Sequence, residues 1–284
     1  MAAKRRNSGG FTLIELLVVI AVISLLVGIL VPCLQGARRR AGAAVCQTRL
    51  RQWGLTFQMY LDESRGKWFS WNAGKGMVPW ASETMPYWRG SAKGVRGLLG
   101  TQGRTSVERS VALCPMTGVR KRGAFRAYAA ELDVGPSWRN LDVSLGFNMW
   151  VYSGDLKGRF SERVVFPFGS PSQYWCTRDV RDAARIPVLG DSDGIPLWVD
   201  HNEVPPPEEL NSVGTSTHWT AWCINRHTGG INMLFMDWSV RKAGLKELWT
   251  LKWSRDFNTA GPWTLAGGVK SEAWPEWLRS FKDY

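Results

Sequence analysis

The chain has 284 residues and a formal net charge of +12, long enough for a sizeable core together with a protruding element. The basic residues are dispersed, with runs only at Lys4-Arg5-Arg6, Arg38-Arg39-Arg40 and Arg120-Lys121-Arg122. A basic balance invites a nucleic-acid or anionic-membrane reading, but dispersed charge with no zinc-finger spacing and no RNA-recognition signature is a non-specific signal, and specific nucleic-acid binding is not expected.

Residues 1–10 are polar, basic and small, and end in Gly9-Gly10. Phe11–Leu34 is then almost purely apolar. As a helix it would reach about 36 Å at roughly 1.5 Å per residue, against about 30 Å for a bilayer core. Basic residues ahead of the run place the N-terminus in the cytoplasm and whatever follows outside. An ordinary secretory signal would end in a small-x-small cleavage site, whereas this run ends in Val31-Pro32-Cys33-Leu34-Gln35. A lipoprotein signal ending at Cys33 would have Pro32 where a small, flexible residue is needed. Glu15 stands inside the run, where a carboxylate is costly unless it has a partner. Its plainest role is to favour the positive end of its own helix.

Gly9-Gly10 followed by Phe11-Thr12-Leu13-Ile14-Glu15 resembles the processing site of type IV pilins and type II secretion pseudopilins. The resemblance covers about the first 60 residues, with Pro32 also on the pattern. It implies a peptidase cut after Gly10, N-methylation of Phe11, and pairing of Glu15 with the N-terminal amine of a neighbouring subunit. The implied partners are the prepilin peptidase, other pilin or pseudopilin subunits, an assembly platform and the inner membrane.

From Gln35 the pattern becomes amphipathic. Cys46, Leu50, Trp53, Phe57 and Tyr60 or Leu61 recur at spacings of three and four, predicting an apolar stripe on a helix that ends near Ser64, before Arg65-Gly66-Lys67. Beyond it, short apolar runs divided by Gly, Pro, Asn and Asp predict strands at 111–114, 145–152, 186–189, 231–237 and 239–242. The last two make a hairpin across Asp237-Trp238, a short helix is expected over 245–251, and Pro205-Pro206-Pro207 reads as an exposed loop. The expected fold is α+β: a leader (1–10), a membrane or filament-core helix (11–34), its amphipathic continuation (35–65), and a β-rich domain (66–284) whose antiparallel sheet packs on the long helix.

Several residues invite a chemical role. Asp191-Ser192-Asp193-Gly194 is the best metal fragment, with Asp191 and Asp193 as hard oxygen ligands for calcium, although such a tetrapeptide also makes an ordinary turn. Arg226–Val240 resembles the C-terminal signature of large prepilin-like proteins abundant in planctomycete-type bacteria. There, a histidine is followed after nine residues by Asp-Gly. His227 and Asp237 keep that spacing, but Trp238 replaces the glycine, which puts a positive-φ turn in question. Cys114-Pro115, Gly146-Phe147-Asn148 and Pro187–Asp191 are weaker echoes. A hydrogen bond between His227 and Asp237 across the hairpin is expected.

Of the five cysteines, Cys33 and Cys46 are expected to lie apart from the domain's core. That leaves Cys114, Cys176 and Cys223 for one disulfide and one free thiol. Seventeen tryptophans are many; most should fill core, while exposed ones could stack on sugars. The leading function is a non-enzymatic filament subunit without a required cofactor. The alternatives are a membrane-anchored glycan- or cell-wall-binding protein and, behind it, a metal-dependent hydrolase using His227, Asp237 or the Asp191–Asp193 pair.

Overall fold

The computed structural model describes residues 12–69, 84, 114–116, 130–132, 141–153, 169–192, 198–209 and 218–284. The chain divides into two units, Met1–Ala41 and Gly42–Tyr284. Helix α1, Leu13–Glu63, begins in the first and ends in the second.

In the first unit the helix is continuous through Gly28 and Pro32. Every residue from Thr12 to Gln35 is exposed, and the large aliphatic side chains of this stretch keep between 46% and 78% of their surface. The helix is long and apolar enough to cross a membrane. An all-round apolar surface of this kind is stable only against lipid or other apolar helices.

In the second unit, α1 buries Cys46, Leu50, Trp53, Gly54, Phe57 and Leu61, the stripe that the three- and four-residue spacing predicts. Gly54 permits close approach: a Cβ there would lie 3.1 Å from Leu234 Cδ1. The helix stops where the sequence changes character. Arg65 and Gly66 both take positive φ (54° and 74°), and Gly66 N–H donates to Leu61 O at 2.7 Å, a Schellman closure.

Strands β1 (Ala130–Leu132) and β2 (Leu141–Val143) form an antiparallel pair. The main sheet has the order β3 (Leu145–Phe147), β4 (Pro187–Asp191), β5 (Gly230–Phe235) and β6 (Val240–Gly244), antiparallel throughout. The α+β layout is therefore as expected, with β3 and β5 shorter than the predicted runs and β4 and β6 slightly longer. The predicted 145–152 strand stops at Phe147 because Asn148 turns the chain: its side chain caps a 3₁₀ turn at Met149–Val151 and donates to Pro187 O and Trp253 O, both at 2.9 Å. Residues 111–113 lie outside the described residues, and Cys114 is not in a strand. The 245–251 helix is a 3₁₀ turn, Lys246–Thr250, and a short helix α2 occupies Glu276–Arg279. Pro205 and Pro206 are buried rather than exposed, and Pro206 O accepts from Trp277 Nε1 at 2.9 Å.

The hairpin between β5 and β6 turns at Asp237-Trp238. Trp238 adopts φ +69° despite having a Cβ, so the turn forms without the glycine. Phe235 N–H donates to Ser239 O at 2.9 Å, and the Asp237 carboxylate accepts from Ser239 N at 3.0 Å and Oγ at 2.6 Å. These bonds and contact with Trp68, centroids 6.2 Å apart, offset a left-handed backbone that costs about 1–2 kcal/mol. One aromatic cluster joins Phe57, Trp68, Phe69, Phe147 and Tyr152. A second is built of tryptophan, with Trp219 stacked on Trp249 at 4.2 Å and Trp222 tilted against Trp253 at 4.9 Å.

Candidate functional site

Two places concentrate residues that secondary structure alone does not require: the start of α1 and a buried polar cluster in the second unit.

Thr12 is the N-cap of α1. Its Oγ accepts the Glu15 N–H at 3.2 Å, while Glu15 Oε2 accepts from Thr12 N and Thr12 Oγ, both at 2.8 Å. This reciprocal pattern is a capping box of the T-x-x-E type. It gives Glu15 a local role, satisfying amide groups that the first helical turn leaves open. A carboxylate can accept more bonds than these, and Thr12 and Glu15 are exposed, so the cap does not exhaust Glu15. Gly10 and Phe11, the expected processing residues, lie outside the described residues.

The second place lies between α1 and the sheet of the second unit. Asp191, the last residue of β4, is fully buried. Its Oδ2 lies 2.9 Å from His227 Nε2 and accepts the Asn232 N–H at 2.8 Å; its Oδ1 lies 3.4 Å from Arg226 Nη1 and 3.4 Å from Cys46 Sγ. Cys114 Sγ is 3.3 Å from His227 Nε2. The ligand-type atoms of Cys46, Cys114, Asp191 and His227 all fall within 4.8 Å of one another, and all four residues are buried.

Local structure explains the placement. Cys46 is the first member of the apolar stripe of α1. His227 and Arg226 sit in the tight turn ahead of β5: Asn225 Oδ1 accepts Gly229 N–H at 2.6 Å, and Thr228 and Gly229 take positive φ. Gly230 has no room for a Cβ, which would come 2.2 Å from Ala243 O. Cys114 is held by its N–H donating to Ser144 Oγ at 2.6 Å. A ring of second contacts braces the set: Arg226 donates to Ser144 O at 2.8 Å and Ser192 O at 3.0 Å, and Gln47 on α1 donates to Asn232 Oδ1 at 3.1 Å.

The electrostatics follow from this packing. Burial opposes ionisation of Asp191, but the His227 hydrogen bond, the Arg226 charge and the Asn232 N–H outweigh it and hold the carboxyl below its ordinary range. Burial likewise opposes the His227 imidazolium, yet bonds to Asp191 and Cys114 push it up to about 9. Burial raises Cys114, but bonds from Cys46 and His227 overcome it and bring the thiol down to about 7. The Cys46 thiol moves the other way, pushed up by its bond to Cys114, by burial and by the Asp191 charge.

Several expectations need correction. Cys46 is in the domain's core, not apart from it. Cys114, Cys176 and Cys223 are all unbridged, so the disulfide expected among them is absent. His227 meets Asp191 rather than Asp237, whose carboxylate serves its own turn. Asp193 lies outside the described residues, and the neighbours of Asp191 are sulfur, imidazole and guanidinium. Of the eight tryptophans from Trp219 to Trp277, five are buried and three, Trp238, Trp263 and Trp277, are half-buried, so most of them build core. Sequence reasoning missed Cys46, Cys114 and Arg226 as members of one site. Cys46 carried a signal, since the stripe it heads is the face that meets the sheet.

The family model for the prokaryotic N-terminal methylation motif matches residues 5–31. A stretch of 55 residues is 47% identical to the type IV wide pilus major component PilA4 of Thermus thermophilus, covering 19% of this chain and 42% of that protein. The N-terminal segment is of the prepilin type. The chain thus spans less than half the length of the curated relative it matches, and no solved structure matches it. Within the prepilin segment lie the expected cleavage bond, Glu15, and the apolar half of α1. All four members of the buried Cys–His–Asp cluster lie beyond the matched residues 5–31.

Proposed function

We propose that this chain is a non-enzymatic subunit of a type IV pilus-like or type II secretion pseudopilus filament, cut by prepilin peptidase after Gly10 and N-methylated on Phe11. The observation that carries the reading is the first half of α1, apolar all round and wholly exposed, preceded by Gly9-Gly10 in a segment that matches the methylation motif. Before assembly this half would sit as a single pass in the inner membrane, with the N-terminus cytoplasmic and the domain in the periplasm. In the filament the same surface would pack against the helices of other subunits, fed in by the assembly platform.

Glu15 supports the same reading. Cleavage at Gly10 creates an amine on Phe11, one turn from the Glu15 carboxylate, and that carboxylate retains free lone pairs beyond its cap. An amine from a neighbouring subunit can share it, which makes docking in register favourable inside an apolar medium. The test is mass spectrometry of the mature protein from its native host, combined with filament shearing. The expected result is an N-terminus at methylated Phe11 and recovery of the subunit in the sheared fraction. A Glu15→Gln chain should be processed but poorly incorporated. A mature protein that keeps residues 1–10, or begins beyond residue 30, would falsify the proposal.

A further inference from the structure

We propose that Cys46, Cys114, Asp191 and His227 form a closed, four-ligand structural site for a zinc-type divalent cation that fastens α1 to the sheet of the second unit. The donors are two thiols, an imidazole nitrogen and a carboxylate oxygen, the set that suits zinc rather than calcium or magnesium. The tetrahedral bond lengths of such a site, about 2.0–2.3 Å, require donors to stand about 3.3–3.8 Å apart. Two observed separations fall in that range, Cys46 Sγ to Asp191 Oδ2 at 3.6 Å and Cys114 Sγ to His227 Nε2 at 3.3 Å, His227 Nε2 to Asp191 Oδ2 is shorter at 2.9 Å, and all four donor atoms lie within 4.8 Å of one another. The His227–Asp191 pair must open by a few tenths of an ångström.

Buried free cysteines usually behave as small apolar groups. Here both thiols lie against polar atoms instead, although the stripe below Cys46 is apolar. The charges also balance: two thiolates and a carboxylate around a dication leave one negative charge, and Arg226, hydrogen-bonded to Asp191 and nine-tenths or more buried, offsets it. Arg49, half-buried on α1, stands within Coulombic reach of both cysteines. The contacts of Ser144, Arg226 and Asn232 hold the donors from behind, as metal-site supports do. Four protein donors, all buried, leave no position for substrate, so the role is structural. Each bond ties distant chain: Cys46 to Asp191 spans 145 positions and Cys114 to His227 spans 113.

The proposal is independent of the filament reading, because its assay reads the isolated subunit. The full chain is purified in detergent without chelator, and its metal is measured by elemental mass spectrometry. One zinc ion per chain is expected, falling to background in Cys114→Ser and His227→Gln and unchanged in Cys176→Ser. Cobalt substitution of the unmutated chain provides a readout that needs no variant: tetrahedral d–d bands with thiolate charge-transfer absorption are expected. Reduced thiols with no bound zinc and no such cobalt spectrum would overturn the proposal. So would a Cys46–Cys114 disulfide found by peptide mapping of the unreduced protein, which would make the pair a covalent staple instead.

Discussion

The two ends of α1 obey the same backbone geometry and meet opposite surroundings. Up to Gln35 every side chain faces outward and is exposed, whereas from Cys46 to Leu61 one side of the helix is sealed into a core. The difference lies in pattern as well as in hydrophobic content: an unbroken apolar run gives way to a single apolar stripe among basic and polar residues. An apolar stripe can be satisfied by a sheet from the same chain, but an apolar cylinder needs a surrounding medium or neighbouring copies. One continuous helix therefore carries both a stripe sealed by its own chain and an apolar surface that needs a surrounding medium or neighbouring helices.

This contrast can be broken most sharply by truncating one residue in each half. Phe57→Ala should destabilise the second unit by about 3–5 kcal/mol, as expected for an aromatic lost from a packed core. Leu25→Ala should stay within about 0.5 kcal/mol. Denaturant unfolding of the full chain in detergent, followed by tryptophan fluorescence, measures both, and equal losses would end the distinction.

A second measure locates the stability at the C-terminus. Lys246 is buried, its Nζ 2.7 Å from Asp283 and 5.1 Å from the Trp274 ring centre. Asp283→Ala leaves the ammonium against the ring alone. The expected cost is about 2 kcal/mol, less than the roughly 3–5 of a fully buried pair, because Asp283 keeps a third of its side chain in water.

Acidity sharpens the picture further. The hydrogen bond to Glu203 raises His218, burial opposes it, and the Glu203 charge adds to the rise. A raised value means that the fold favours the protonated ring. Its contribution is complete below the ordinary histidine value of about 6.5 and is lost as pH rises through the higher folded value. Thermal midpoints across that window should fall with pH, and Glu203→Gln should flatten the slope.

The smallest effect is expected at the hairpin. Trp238→Gly relieves a positive φ at the expense of contact with Trp68. The two contributions nearly cancel, leaving a change within about 1 kcal/mol. A larger loss would show that the indole is part of the core.

The sequence by itself determined what depends on neighbours along the chain. Three- and four-residue spacing marked the buried stripe at Cys46, Leu50, Trp53, Phe57 and Leu61, and the change of pattern at Arg65-Gly66 marked the helix stop. Alternating short runs marked the β5–β6 hairpin. The prepilin segment was legible because its information is also local: small residues, a continuous apolar run, and one acid at fixed spacing. Only the tertiary structure decided that His227 would meet Asp191 and not Asp237, that Trp238 could take a left-handed turn, and that Cys46 and Cys114 would converge on the same carboxylate. Those outcomes follow from how a helix, a loop and two strands close upon each other. Spacing along a chain carries no record of contacts between residues 145 positions apart; packing supplies it, because a buried carboxylate must find its partners wherever the fold brings them.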